Sequence, residues 1–330
     1  MEKKRVFLTG ATGFVGGFIV EELINAGFEV FISARKSSSF EFLDTQKITI
    51  LYVDLADPKA ISQLLKENNI HYVINNAGLT RHADEQQLNL VNALYTKNIA
   101  QAILESQIPI QKMVHISSLA AYGPADFTQS GIVQSNSEPN PVTAYGRSKL
   151  LGEQWLSDFD IPKVILRPTA VYGPRERDLL SVFKMISNRL EVNIGIDQKL
   201  SFIYVKDLAN IIVQTLMSPM SNLDYFVSDG FVYSNNELNN LIKNAIDKKT
   251  LKINLPLFVV KPLSSLSEQI GRLFGNYPVF NKDKYNEITA QSWICDSAPL
   301  LSDLNYKIAY PLNIGIQETV EWYKKAGWIS

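Results

Sequence analysis

The chain has 330 residues, 46% of them hydrophobic and 20% charged, with a formal net charge of -1. That length suits one large domain plus a smaller one, and the near-neutral balance lacks the basic face that a nucleic-acid partner demands. The single cysteine, Cys295, excludes an internal disulfide framework and leaves too few thiolates for a zinc site. It reads as a half-buried structural thiol. The three histidines His71, His82 and His115 follow no metal-ligand spacing, so no metal is expected. The opening Val6-Phe7-Leu8 falls far short of the about 7–15 apolar residues of a signal-peptide core. No run reaches the roughly 18 apolar residues of a spanning helix. A cytoplasmic protein without an integral membrane segment is expected.

In chain order, residues 5–9 form a short apolar strand, and residues 13–26 carry helical periodicity through Phe14, Phe18, Leu23 and Ala26. Strands follow at 29–33 and 48–53. A helix over 57–67 opens with Asp57 as N-cap and Pro58 in its first turn. A strand at 71–75, a long helix at 88–106, a strand at 112–117, a helix at 145–159 and a strand at 163–167 continue the alternation. Such a pattern predicts an α/β fold with a parallel sheet and helices on both faces. After about residue 175 the pattern loosens, with helices at 179–189 and 235–246 between longer irregular stretches. The expected organisation is a doubly wound Rossmann domain over 1–174, rejoined by 201–218, and a smaller, mixed C-terminal substrate domain over 175–330. The loop 124–141, rich in Pro, Gly, Ser and Asn, separates the fifth strand from the helix bearing Tyr145.

The loop Gly10-Ala11-Thr12-Gly13-Phe14-Val15-Gly16 follows a strand and opens a helix. Glycines there permit a tight turn and close approach to a pyrophosphate, which the helix N-terminal amides then face. The glycines are spaced three and three, where the standard dinucleotide fingerprint has two and three. At the end of the second strand, where an NAD site places a carboxylate for the ribose, stand Ser33, Ala34, Arg35 and Lys36. Nothing there repels a 2′-phosphate and Arg35 offers it a bidentate fork, which favours NADP(H) over NAD. Asp54 and Leu55 close the third strand, with Asp54 placed to accept from the adenine amino group. Asn76, Ala77 and Gly78 close the fourth, where small residues admit the ribose or nicotinamide.

Tyr145 and Lys149 stand four apart and share a helix face. A free tyrosine ionises near 10, and a neighbouring ammonium contributing roughly 3–4 kcal/mol would bring it toward neutrality. Tyr145 then exchanges a proton with a substrate oxygen as hydride moves. Ser117 and Ser118 end the fifth strand, where a hydroxyl orients that oxygen.

Together, the loop 9–16, Asp54, Asn76-Ala77-Gly78, Ser117-Ser118, Tyr145–Lys149 and Arg167-Pro168-Thr169-Ala170-Val171-Tyr172-Gly173-Pro174 resemble the extended short-chain dehydrogenase/reductases, the NAD(P)-dependent epimerase/dehydratase group. The resemblance runs in order from residue 6 to about residue 210. It implies that Tyr145 is the acid/base, that Lys149 lowers its pKa and holds the nicotinamide ribose, and that Ser118 is the catalytic serine. It implies that Asn92 supports the site and kinks the long helix, and that Pro168 packs near the nicotinamide carboxamide. Arg35 stands where NADP-dependent relatives carry an arginine. A small-molecule substrate and a homodimer through the helices of Asn92 and Tyr145 are further expectations of the resemblance.

Sugar-nucleotide members carry Arg-Asp-Phe ahead of a strand, whereas this chain has Leu200-Ser201-Phe202, with Lys199 before them. The segment 118–124, Trp293 and the closing 322–328 look more like the steroid-dehydrogenase-like branch. The expected reaction is hydride transfer between NADP(H) and a hydrophobic, sterol-like secondary alcohol or ketone. A nucleotide-sugar epimerase or dehydratase with bound NAD is the alternative, and a non-catalytic dinucleotide sensor or scaffold is a third reading. His115 is expected to pack in the core, and His82 to face the site. Arg175 and Arg177 either touch an anionic substrate or lie in a solvated loop. The apolar segment 255–274 is expected to pack in the smaller domain, with a lipophilic pocket or a membrane surface as alternatives.

Overall fold

A computed structural model describes residues 3–125, 131–258, 262 and 281–330. The first half comprises β1 (Arg5–Thr9), α1 (Phe14–Asn25), β2 (Glu29–Ala34), β3 (Ile48–Tyr52), α2 (Pro58–Glu67), β4 (Tyr72–Asn75), α3 (Glu85–Asn89), α4 (Tyr95–Ser106), β5 (Lys112–Ile116), α5 (Ala144–Ser157) and β6 (Lys163–Pro168). Next come β7 (Ala170–Tyr172), α6 (Leu180–Ser187), β8 (Leu190–Ile194), β9 (Lys199–Leu200), β10 (Phe202–Tyr204), α7 (Val205–Met217), β11 (Leu223–Val227), β12 (Tyr233–Ser234) and α8 (Asn235–Ile246). The chain closes with β13 (Leu251–Leu255), α9 (Lys282–Thr289), β14 (Ser292–Trp293), α10 (Ala298–Asp303) and α11 (Leu312–Lys325).

Seven parallel strands form the main sheet in the order β11-β6-β5-β4-β1-β2-β3. Strand order reverses between β1 and β4, the switch point outside whose carboxyl ends open α/β sheets bind ligands. Alternate side chains of the buried strands feed two cores. Val6, Leu8, Ile32 and Val114 pack with α1 and α7 on one face, and Phe7, Val73, Met113 and Ile103 with α2 and α4 on the other. A third cluster, built on Phe183, Phe202, Ile242 and Tyr323, holds the C-terminal helices and small sheets together. The α/β Rossmann architecture with smaller mixed sheets is therefore the observed fold.

Several boundaries and elements differ from the expected pattern. Asp57 caps α2 as read, accepting from the Lys59 and Ala60 amides at 2.9 and 3.1 Å. The long helix starts earlier, at Glu85 behind an Asp84 cap, and is interrupted by a π-helical turn over Leu90–Leu94 that contains Asn92. β11 joins the main sheet beside β6, although the sequence reading assigned no strand there. The segment 255–274 lies mostly outside the described residues. Among the described residues, no helix is long and apolar enough to cross a membrane.

Candidate active site

A cleft of about 2040 Å³ lies over the carboxyl ends of β1, β2, β4 and β5 and reaches α6, β8 and α9. Gly10, Thr12, Gly13, Phe14, Val15, Arg35, Asp54, Leu55, Asn76, Ala77, Gly78 and Pro168 all line it. Gly10 has φ +71, and a Cβ on it would fall 2.5 Å from the Asn76 carbonyl oxygen. A Cβ on Gly16 would fall 2.0 Å from the Gly10 oxygen, so Gly16 stands behind the wall and closes the loop. Gly13 is the N-cap of α1 and no side chain caps it, which leaves the first-turn amides for an anion. The Asp54 carboxylate accepts from the Ala56 amide at 2.9 Å. Arg35 is exposed at the end of β2 and forms no ion pair among the described residues; its backbone amide donates to Ser38 Oγ at 3.0 Å. This cradle fits a dinucleotide: a tight glycine turn and uncapped helix amides suit a pyrophosphate.

On the far side of the switch point the cleft contains Ser118, Tyr145 and Lys149. Thr143 caps α5 by accepting from the Gly146 amide at 3.0 Å. A Cβ on Gly146 would lie 2.2 Å from the Ala120 oxygen, so the turn after β5 presses directly on the first turn of α5. That contact brings residues 27 apart in sequence together: the Ser118 side chain, whose Oγ accepts from the Ala120 amide at 3.1 Å, lies close enough to Tyr145 to favour its ionised form. One turn further on, Lys149 Nζ donates to the Ile116 carbonyl at 2.8 Å. Ser117 points away, into a buried cluster where it donates to Glu153. Glu153 in turn holds Arg167 at 2.7 Å, and Arg167 also pairs with Asp224.

The electrostatics differ from the sequence expectation of a lowered phenol. Burial pushes Tyr145 up to about 12; the Ser118 side chain pulls the other way and the Glu287 carboxylate adds to the rise. Burial also brings Lys149 down to about 8, opposed by Glu153. For each group the cost of withdrawing the ion from water outweighs what the protein's own neighbours return. Tyr145 is therefore a phenol, and Lys149 largely an ammonium, at neutral pH.

Asn92 is fully buried behind the cleft wall. Its amide oxygen accepts from the Leu79 amide at 2.8 Å, and its Nδ2 donates to the Leu79 carbonyl and to Ser148 Oγ at 2.9 and 2.8 Å. It thereby ties the loop after β4 to α5. The carbonyl freed by the π turn is used too: Thr96 Oγ1 donates to the Asn92 oxygen at 2.9 Å. His115 is buried beside Asn75, with Nδ1 3.1 Å from the Asn75 amide nitrogen, and burial holds it neutral. His82 lines the cleft, with Nδ1 bound by the Asp84 amide at 3.0 Å. Cys295 is buried and its thiol pushed up to about 12.

Where the cleft reaches α6, β8 and α9, the apolar residues Val182, Met185, Ile186, Ile288 and Trp293 line it together with polar ones such as Asn193, Gln198, Asp283 and Glu287. Leu200 lines it, whereas Lys199 points away and is exposed. Arg175 is not a solvated loop cation: it is mostly buried, lines the cleft, pairs with Glu21 at 2.8 Å through Nη2 and lies over the rings of Phe18 and Phe42, while its Nε and Nη1 have no partner among the described residues. Arg177 lies over Trp328, and Arg81 pairs with Asp178. Lys284 pairs with Glu287 at 2.9 Å. Sequence reasoning missed α9 altogether. Its Asp283 accepts from the Ala144 amide at 2.9 Å and its Asn286 donates to the Val142 carbonyl at 3.0 Å, so it docks on the first turn of α5. No local signal links residues 139 apart.

Comparison with known proteins agrees with this geometry. Residues 6–225 match the model of the NAD dependent epimerase/dehydratase family. A ceramide reductase of Caulobacter vibrioides is 25% identical over 328 residues, 98% of this chain and 96% of the relative. A UDP-glucose 4-epimerase of Vibrio cholerae is also 25% identical, over 98% of this chain and 96% of its own length. Among solved structures, a UDP-glucose 4-epimerase of Thermotoga maritima with UDP-glucose superposes with a TM-score of 0.78 at 18% identity, covering 98% of this chain and 99% of that one. By the family match and its dinucleotide fold, the chain belongs to the NAD dependent epimerase/dehydratase family.

Proposed function

We propose that this protein transfers hydride between NADP(H) and a lipophilic secondary alcohol or ketone. Residues 1–174 and 201–218 bind the dinucleotide, and the remainder of 175–330 shapes the substrate side. The observation that carries the reading is the group Ser118, Tyr145 and Lys149 in one cleft with the Gly10–Gly16 loop. When bound, the nicotinamide supplies or accepts the hydride. As negative charge grows on a ketone oxygen, Tyr145 donates its phenolic proton and the Ser118 hydroxyl donates a hydrogen bond. The Lys149 ammonium stabilises the phenolate left behind. Alcohol oxidation uses the same groups in reverse. Arg35, with no carboxylate beside it, favours the 2′-phosphate of NADP(H).

The substrate reading rests on the apolar part of the walls and on Arg81 and Lys284, which are paired within the protein. Leu200 stands where a diphosphate would want an arginine fork. Likeness to a ceramide reductase along nearly the whole chain supports a long-chain ketone. The test is NADPH oxidation by purified protein against long-chain keto-lipids, steroid ketones and UDP-sugars. Turnover with a lipophilic ketone is expected. Interconversion of UDP-sugars by tightly held NAD, without net NADPH use, would replace this reading with an epimerase.

A further inference from the structure

The ribbon of β8 and β13 separates polar from apolar side chains. The two strands run parallel in the register Leu190↔Leu251 to Ile194↔Leu255, so paired residues share a face. One face carries Glu191, Asn193, Lys252 and Asn254, and it is turned toward α8. There, Glu191 is 2% exposed and paired with Lys243 at 2.8 Å, Asn239 donates to Asn193 at 2.9 Å, and Lys252 donates to Asn236 at 2.7 Å. The opposite face is apolar: Leu190, Val192 and Ile194 on one strand, Leu251, Ile253 and Leu255 on the other. Leu251 is 68% and Ile253 38% exposed. Leu190, Val192 and Ile194 line the cleft but Leu251 and Ile253 do not, so the apolar face runs from the cleft wall on β8 out to exposed surface at the rim on β13.

Charge completes the pattern. Arg189, Lys248 and Lys249 stand where the two strands begin, with the Leu251 amide bonded to the Arg189 carbonyl at 2.8 Å. None of the three cations forms an ion pair among the described residues, and Asp247 is the one acid adjoining them in sequence. At the other end of the ribbon, Ile196 and Phe258 are exposed. An apolar strip with three cations at one end is complementary to an anionic bilayer surface, where apolar side chains enter the acyl boundary and lysines meet the headgroups.

We propose that the β8–β13 ribbon docks this protein peripherally on anionic phospholipid membranes, with the cleft rim against the lipid. The proposal goes beyond the assigned chemistry and its test needs neither cofactor nor substrate, so its failure leaves the hydride-transfer reading standing. The experiment is vesicle flotation with the full chain. Vesicles with about 30% phosphatidylglycerol in phosphatidylcholine should bind the protein, and pure phosphatidylcholine should bind it at least several-fold less. L251D/I253D should lower partitioning about tenfold, and K248E/K249E should lower it on the anionic vesicles alone. Both pairs are on the surface, and unchanged circular dichroism would show that the fold is kept. Absence of binding to either vesicle, or binding of L251D/I253D equal to the parent, overturns the proposal. So does a concentration-dependent dimer that L251D/I253D abolishes, because the ribbon would then be covered by a second copy.

Discussion

Ser118 and Tyr145 meet because Gly146 lets the first turn of α5 close on the Ala120 carbonyl, leaving no room there for a side chain. The pairing thus depends on a backbone contact that neither residue makes itself. Gly146→Ala should therefore lower kcat by about 10-fold or more through misplacement of the Tyr145 hydroxyl, with a modest fall in Tm. Steady-state kinetics with thermal unfolding on the same preparation checks this.

Lys149 sets the pH dependence. Its amine is brought down from the ordinary 10.5 to about 8 by burial, while the Glu153 carboxylate opposes the fall. Reductive kcat/KM should hold through neutrality and decline above about pH 8 as the ammonium is lost. Glu153→Gln removes the opposing charge and should move that limb to lower pH. A limb that stays in place would dissociate Lys149 from the profile.

The same burial costs stability. Below about pH 8 both folded and unfolded chains hold the Lys149 proton, so the penalty of burying the charge is fully present; it is relieved as pH rises from about 8 to 10.5. The penalty is on the order of 3 kcal/mol. Lys149→Met should abolish turnover yet raise Tm at pH 7, with the lost bond to the Ile116 carbonyl offsetting part of the gain. A clear fall in Tm would show that the ammonium is better compensated than its surroundings indicate.

Arg35 decides the cofactor in this account. Arg35→Ala should weaken NADPH binding by about 10-fold or more and leave NADH nearly unchanged, as expected for loss of a charge-assisted fork on one phosphate. Fluorescence titration of both cofactors reads this directly, and equal affinities in the parent protein would refute the preference.

Much of the dinucleotide half was legible because it is local. Strand ends, the glycine loop and the Asp57 cap are written in neighbouring residues, and the cleft gathers almost every position those signals mark. What escaped is long-range. Arg175 looked like a loop cation until Glu21, Phe18 and Phe42 came to meet it from more than 130 residues away. β11 was missed because half of the strand is exposed, so Leu223-Asp224 blunt its apolar run. The β8–β13 ribbon defeats pattern reading because its most buried side chain, Glu191, is charged while Leu251 and Ile253 are exposed, against the usual rule. The Tyr145 phenol was expected to be lowered because spacing shows the nearby ammonium but not the depth of burial.

The most direct test of the central claim is isotope transfer. Wild-type protein incubated with NADPH deuterated at the nicotinamide C4 and a long-chain ketone should yield an alcohol carrying deuterium on its carbinol carbon, detected by mass spectrometry. Tyr145→Phe, still folded and still binding NADPH, should form that product at least about 100-fold more slowly. Undiminished deuterium transfer by Tyr145→Phe would contradict the account.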